Sequence, residues 1–412
     1  MAITGRLIER LLKRGEITVV TADGERTKYG PGGGTSLTIR FTDRKVPLDL
    51  LRNPRLGLGE TYMDGRLVIE GGSILDLLDM IIGSNRWEDG GKGKILPKGA
   101  VAATKAFFRR NDPRRSRHNV AHHYDLSDAL YETFLDDDRQ YSCAYYTSPG
   151  NSLEQAQSDK KAHIAAKLGL KAGHRVLDIG CGWGGMALYL HQVAKVDVLG
   201  ITLSEEQLKV ARRRAKDAGV SDHVRFELID YRMVDDQFDR IVSVGMFEHV
   251  GLAHYDEFFA KCRALLKPDG VMLLHTIGKL GKASAAPDPF TDKYIFLGFH
   301  IPSLSQMSAA SEKARLIASD VETLRLHYAY TLREWLRRFT AAKPKILKLY
   351  DERFFRMWEY YLAGGIVMFE SGGACNYQVQ YIRDRGALPI TRDYMAKAEA
   401  RYRKSAKQTP AK

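Results

Sequence analysis

Three places in the chain combine residue types that can do chemistry. The first is Val176-Leu-Asp-Ile-Gly-Cys-Gly-Trp-Gly-Gly185, an apolar run that breaks into alternating glycines at Gly180, Gly182 and Gly184 just after Asp178. Glycines so placed let the backbone turn sharply and come close to a ligand, and the helix that follows offers free N–H groups to an anion. The second is Gly245-Met-Phe-Glu-His-Val250 and the third is His275-Thr-Ile-Gly278, each closing an apolar run. Glu248 and His275 are side chains of the kind that take up and release protons. A dinucleotide site would read G-x-G-x-x-G with an acid about 20 residues on. Here the spacing is G-x-G-x-G, and the next apolar run ends in Gly200-Ile-Thr-Leu-Ser204 without an acid.

Positioning these residues requires an α/β architecture. Apolar runs at Arg175–Ile179, 196–201, Val224–Leu228, Arg240–Val244 and Val271–His275 alternate with helical patterns at Leu153–Leu168, 186–194, 205–218 and 255–266. Strands alternating with helices imply a parallel sheet covered on both faces. Ligands of such sheets bind beyond the carboxyl ends of the strands, where all three places fall. After Gly278 the pattern loosens into loops and short helices, then gives long amphipathic helices at Thr331–Tyr350 and Arg353–Ala363.

A length of 412 residues suggests two domains. Residues 1–82 read as a small α+β unit: a helix near 3–14, strands at Ile17–Val20 and Ser36–Phe41, a turn-rich Gly57–Gly65 and a helix at Ile74–Ile82. Residues 83–118 turn to glycine, lysine, arginine and proline and read as a linker, 119–390 as the catalytic domain, and 391–412 as a basic, disordered tail. No run of eighteen apolar residues is present, and charge interrupts the N-terminus too early for a secretory signal. Four cysteines without a C-x-x-C pair argue for reduced thiols, a cytoplasmic location and no metal site. The net charge of +13, with clusters at Arg109-Arg110, Arg114–Arg117, Arg212–Arg214 and the tail, favours an anionic partner.

Asp-x-G-x-G-x-G after a strand resembles motif I of the class I S-adenosylmethionine-dependent methyltransferases. More specific blocks recur in order between about 119 and 365: His123-Tyr-Asp-Leu126, Gln140-Tyr-Ser-Cys-Ala-Tyr145, Gly200–Ser204 with Gln207, Met246-Phe-Glu-His-Val-Gly251, Leu273–Gly278, Lys293-Tyr-Ile-Phe296 and Tyr360-Tyr-Leu362. On these residues the chain resembles the cyclopropane-fatty-acyl-phospholipid synthases and is similar to the mycolic acid cyclopropane synthases. The resemblance implies a Rossmann-like class I methyltransferase sheet with a helical cap and, through Gly59-Glu-x-Tyr-Met-Asp-Gly65, an N-terminal lipid-binding domain. It implies that Tyr141 and Ser142 touch S-adenosylmethionine from the lid side, and that Asp178, Gly180, Gly182 and Gly184 hold its methionine portion. Thr202, Leu203, Ser204 and Gln207 would take the ribose, and Tyr231 and Arg232 would flank the adenine. Cys143, Glu248, His275, Ile277 and Tyr328 match positions that bind bicarbonate in this family.

The implied reaction is methylene transfer to the cis double bond of an unsaturated phospholipid acyl chain, by an enzyme peripherally associated with the membrane; the resemblance also suggests a homodimer. A carbocation formed on the chain can be stabilised by aromatic faces, for which Tyr145, Tyr294, Phe296 and Tyr328 are candidates. Bound bicarbonate would remove the proton that closes the ring. Because two anions repel, either Glu248 is protonated or bicarbonate donates a hydrogen bond to it. The chain departs from the family pattern at Gly365, where relatives carry a cysteine, at Glu370, where they carry an arginine, and at Met233, where they carry an aspartate. The first two leave open a product that is methylated or methylene-bearing without ring closure. Nucleic-acid methylation is disfavoured, since no N/D-P-P-Y-type motif is present. A non-catalytic lipid-binding relative would not need so nearly complete a cofactor set.

Overall fold

The computed structural model describes residues 11–90, 127–281 and 288–407, with Gly5, Ile8 and Glu9 before them. His123–Leu126 and the clusters at Arg109-Arg110 and Arg114–Arg117 lie outside the described residues. Contacts divide the chain into two compact units. Among the described residues the first holds those up to 90, 288–297 and Tyr328–Ala374; the second holds 127–281, Gly298–His327 and 375–407. A boundary falls between 82 and 119, and in addition two later segments fold with the N-terminal unit.

In the first unit, β1 (Gly15–Val20) pairs antiparallel with β2 (Arg26–Gly32) and parallel with β3 (Ser36–Phe41), which pairs antiparallel with β4 (Leu67–Glu70). Ile17 lies opposite Leu37 and Val19 opposite Ile39, so one face of the sheet is apolar. It packs with Leu58, Leu77 and Leu78, and with Ala363 and Val367 of the helix Glu352–Glu370. The stretch read as turn-rich is instead the helix Pro54–Met63. Its glycines serve close approach: a Cβ on Gly57 would stand 2.5 Å from the Asp49 carbonyl, and one on Gly59 2.3 Å from the Phe290 ring. Only Gly65, past its end, takes a left-handed φ, of 69°. The helix expected over Ile74–Ile82 is α-helical over Ile74–Leu78 and widens to a π-turn over Asp79–Gly83. The helix expected over Thr331–Tyr350 ends as His327–Ala341, and a short turn Lys343–Ile346 restarts at Pro344.

The second unit carries a seven-stranded sheet in the order β10-β11-β9-β8-β5-β6-β7. Strands β5 (Arg175–Ile179), β6 (Asp197–Thr202), β7 (Val224–Leu228), β8 (Phe238–Val244) and β9 (Leu266–Lys279) are parallel. Leu177, Ile179, Ile241, Met272 and Leu274 face one core with the helices Tyr255–Leu265 and Leu304–Lys313. Val176, Val198, Val242 and Leu273 face the other, beneath the helices Leu153–Lys167, Gly185–Ala194 and Glu205–Asp217. Burial on both faces gives these strands their continuous apolar runs.

The sequence pattern missed β10 (Ile317–Leu324) and β11 (Ala374–Ile382), an antiparallel pair. The whole of β11 is buried, although Asn376, Gln378 and Gln380 alternate with its apolar residues. The tail also needs correction: Asp393–Lys407 is a helix. Tyr402 is buried in the core beside Leu190, and Arg403 pairs with Asp159 at 3.1 Å. Lys397, Arg401 and Lys404 lie exposed on its outer face, while Tyr402, Glu399 and Arg403 anchor the inner one. Among the described residues no helix is long and apolar enough to cross a membrane.

Candidate active site

At the carboxyl end of β5 the chain turns through Gly180, Gly182 and Gly184, with φ of 82°, 54° and 84°. A Cβ on Gly180 would come 2.9 Å from Met246, and one on Gly184 2.7 Å from Phe226, so both are required for close packing as well as for φ. Nothing stands within 4 Å of a Cβ on Gly182, so the turn is open there. The carboxylate at the start of the following helix is the chain's own: Asp138 sits against Gly185. Burial pushes the Asp138 carboxyl up, but Lys161 and Arg214 outweigh it and hold the group down at about 2. Arg214 also donates to the Trp183 carbonyl at 2.9 Å and Arg212 to the Phe226 carbonyl at 3.0 Å. Two of the three arginines in that cluster thus hold the fold together instead of facing a partner.

The turn floors a cleft of ≈ 1150 Å³. Ten of the expected cofactor residues line it: Tyr141, Ser142, Asp178, Gly180, Gly182, Thr202, Leu203, Gln207, Tyr231 and Arg232. Gly184 and Ser204 sit behind the wall. The Ser204 hydroxyl accepts from the Gln207 N–H and caps the helix Glu205–Asp217, while Thr202 Oγ1 donates to Gln207 Oε1 at 3.1 Å. Asp230 lines the cleft as well and takes the Arg232 Nε at 2.9 Å. Sequence reasoning missed Asp230, Arg139, Trp183 and His249 in this lining. It also missed the residues that shape the lid segment. Lys160, fully buried, donates to Gln140 Oε1 at 2.8 Å and Ser142 Oγ at 2.7 Å, and Gln157 donates to the carbonyls of Gln140 and Ser142. Burial lowers the Lys160 ammonium to about 8. Their signal was a buried amide and a buried amine on the apolar face of one helix, unusual positions for either.

Asp178 is almost wholly buried, its Oδ2 has no partner, and burial raises its carboxyl to about 7. An orphaned carboxylate oxygen beside an open glycine turn fits a cationic amino group. S-adenosylmethionine carries such a group on its methionine portion.

Beyond β8 and β9 lies a second cluster. Glu248 Oε1 accepts the Ile277 N–H at 2.6 Å, its Oε2 is buried without a partner, and burial raises the carboxyl to about 7. His275 on β9 is buried, and desolvation drives it well below the ordinary imidazole range, so the ring is neutral. Its Nε2 lies 3.3 Å from Asn376 Nδ2 and its Nδ1 3.1 Å from Gln378 Nε2. Burial pushes the Cys143 thiol up, and Sγ–H donates to the Ala144 carbonyl at 3.4 Å, so the group stays a thiol. The structure thus joins Glu248 to Ile277 and backs His275 with two amides.

Tyr328 belongs to the first unit, its ring 5.8 Å from Trp335 and 4.8 Å from Phe369. Tyr145, offered as a cation-stabilising face, instead stacks on His163 at 4.0 Å and on His327 at 5.0 Å, which occupies its faces. Tyr294 hydrogen-bonds Glu60 at 2.7 Å, and Phe296 packs 6.0 Å from Tyr361. At the departures from the family pattern, Glu370 pairs with Arg333 at 2.5 Å, and a Cβ on Gly365 would stand 3.1 Å from Leu332.

Comparison with known proteins agrees with this geometry. The profile of the family described as "Mycolic acid cyclopropane synthetase" matches residues 111–379, and that of a domain of unknown function matches 6–86. The chain is 41% identical over 355 residues to the cyclopropane-fatty-acyl-phospholipid synthase of Escherichia coli, covering 85% of this chain and 89% of that one. It is 40% identical over 398 residues to a probable fatty acid methyltransferase of Pseudomonas putida, covering 90% and 94%. Among solved structures, mycolic acid cyclopropane synthase CmaA1 complexed with SAH and CTAB matches with a TM-score of 0.61 at 34% identity, over 65% of this chain and 98% of that one. Sheet order, glycine turn and cleft are those of a class I S-adenosylmethionine-dependent methyltransferase. Within that class the chain belongs to the mycolic acid cyclopropane synthetase family.

Proposed function

We propose that this enzyme transfers a methylene group from S-adenosylmethionine to the cis double bond of an unsaturated acyl chain in a membrane phospholipid, closing it to a cyclopropane with bicarbonate as the base. The observation that carries the reading is Glu248, a carboxyl buried at the sheet end with one oxygen on the Ile277 N–H and the other free of partners. A carboxyl raised to about 7, bonded to Ile277 two residues past a neutral imidazole, suits a small anion that must be held without repulsion. Glu248 protonated on Oε2 would donate to the anion, and His275, held neutral, would put no second charge at that strand end. Cys143 and Ile277 complete the proposed set.

S-adenosylmethionine, when bound, supplies an electrophilic methyl carbon. Asp178 would hold its amino group, the lid residues Tyr141 and Ser142 would cover it, and Thr202, Leu203, Gln207, Tyr231 and Arg232 would line the nucleoside end. The alkene donates its π pair to that carbon as the carbon–sulfur bond breaks, leaving a cation on the acyl chain. Removal of a proton from the delivered methyl releases the electron pair that closes the ring, and the proton leaves on bicarbonate. A dry pocket protects the cation from water.

The E. coli relative, named for acyl-phospholipids and matched over 85% of this chain, supports a phospholipid substrate. With a net charge of +13, attraction to an anionic surface adds about 1 kcal/mol per lysine or arginine near it. We read the N-terminal unit as the lipid-binding domain and the enzyme as peripherally membrane-associated and homodimeric. A second reading, methylation without ring closure, is favoured by the name of the P. putida relative and by Gly365.

The test is to incubate the protein with S-adenosylmethionine and vesicles of cis-unsaturated phospholipid, then analyse the acyl chains by mass spectrometry and proton NMR. Cyclopropane methylene signals are expected. The same added mass with an alkene retained would establish the second reading, and no modified lipid would overturn both.

A further inference from the structure

The face of β11 that carries Asn376, Gln378 and Gln380 is buried, and behind His275 it forms part of a continuous polar chain. Lys167 Nζ donates to Gln378 Oε1 at 2.9 Å. An ammonium has no lone pair, so this contact settles which end of the Gln378 amide is oxygen. Gln378 Nε2 is then a donor, and 3.1 Å away His275 Nδ1 must accept. A neutral imidazole has one N–H and one lone pair. With the lone pair of Nδ1 engaged, the proton sits on Nε2.

Asn376 tells the same story from the other side. Its Nδ2 faces Nε2 at 3.3 Å, two donors against each other, while its own Oδ1 is buried without a partner. Turning that amide by half a revolution gives Nε2–H an acceptor in Oδ1 and leaves Nδ2 at the position without a partner.

The chain continues away from the site. Lys167 is also paired with Glu322 of β10, whose Oε2 lies 2.7 Å from His163 Nε2. His163 Nδ1 meets Glu399 of the C-terminal helix at 2.9 Å. With a carboxylate on each nitrogen, His163 is a doubly protonated donor. Two cations, His163 and Lys167, alternate with two carboxylates, and their charge adds to the burial that keeps His275 neutral.

We propose that Lys167 and Gln378 are positioning residues that lock His275 as the Nε2–H tautomer, its one N–H turned to Asn376, so that His275 never serves as the reaction's base. The role given to His275 rests on the reading above; the tautomer does not. A lone pair committed to Gln378 cannot take a proton from the substrate, which leaves that step to another group. It also gives the C-terminal helix a part in the site, through Glu399, His163 and Glu322.

The experiment uses the full-length protein labelled with nitrogen-15 at histidine, and a two-bond proton–nitrogen correlation spectrum that distinguishes protonated from bare ring nitrogens. The His275 signals are assigned by their absence in His275→Gln. The expected pattern for wild type is a protonated Nε2 and a bare Nδ1, unchanged between about pH 6 and 8. In Gln378→Glu a carboxylate faces both Lys167 and Nδ1, so the proton should move to Nδ1. Turnover should then fall on the order of 100-fold with the KM for S-adenosylmethionine within about threefold, and reverting the substitution should restore both tautomer and rate. A wild-type His275 protonated on Nδ1, or on both nitrogens, overturns the proposal even if the variant does not fold. So does a Gln378→Glu protein with normal turnover. The predicted spectrum together with turnover indifferent to bicarbonate would keep the tautomer and discard the anion reading.

Discussion

Asp178 and Glu248 are two buried carboxyls at neighbouring strand ends, each raised to about 7 by burial and each with one oxygen lacking a partner. They differ in setting. Asp178 lines the large open cleft, and desolvation is the only cause of its shift. Glu248 is pinned by the Ile277 N–H on one oxygen and is not part of the cleft lining. On the proposed reading the same raised carboxyl would serve opposite partners. One would meet a cation that ionises it, and the other would keep a proton to share with an anion. The surroundings, more than the shift, separate a cofactor residue from a catalytic one.

The largest expected effect tests Glu248. Glu248→Ala should lower kcat about 1000-fold while leaving the KM for S-adenosylmethionine within about threefold; steady-state kinetics decide it. A comparable rise in KM would place Glu248 with the cofactor and dissolve the distinction.

Stability against pH comes next. A carboxyl raised from its ordinary value binds its proton more tightly in the folded protein, so its contribution favours folding at low pH and is lost as pH rises towards 7. Without cofactor, urea unfolding should show a loss of about 2–3 kcal/mol per carboxyl between pH 5 and 8. Asp178→Asn should remove one share of that slope, and saturating S-adenosylmethionine should flatten the same share in wild type, because pairing favours the ionised form. If S-adenosylmethionine leaves the slope unchanged, Asp178 does not hold its amino group.

Asp178→Asn should also weaken S-adenosylmethionine binding by about 30-fold, the cost of losing a charge-assisted hydrogen bond of roughly 2 kcal/mol, as read by calorimetric titration. The smallest effect belongs to Tyr145→Phe. With its ring stacked on His163 and His327, the residue should change turnover by no more than about threefold. A large loss would return Tyr145 to the list of groups that face the reacting chain.

The parallel half of the sheet was legible because its strands are apolar on both faces and its glycine turn has one physical purpose. Glu248 and His275 were legible for the related reason that both end such strands. The antiparallel end was not, since β11 hides Asn376, Gln378 and Gln380 in the interior and polar residues read as loop. The polar groups behind His275 come from a helix, two strands and the C-terminal helix, so no local spacing announces them. The helix at Pro54–Met63 was misread because glycine signals close packing as readily as a turn. Tyr402, one of two tyrosines in a basic segment, was too little to reveal the docked C-terminal helix.

Turnover measured against bicarbonate concentration, in carbon-dioxide-free buffer at saturating S-adenosylmethionine, with wild type and Glu248→Ala side by side, asks most directly whether the Glu248 pocket holds the base. Wild-type turnover should rise from near zero to saturation, and the variant should stay low and flat. Full wild-type turnover without bicarbonate would contradict the assignment of that pocket.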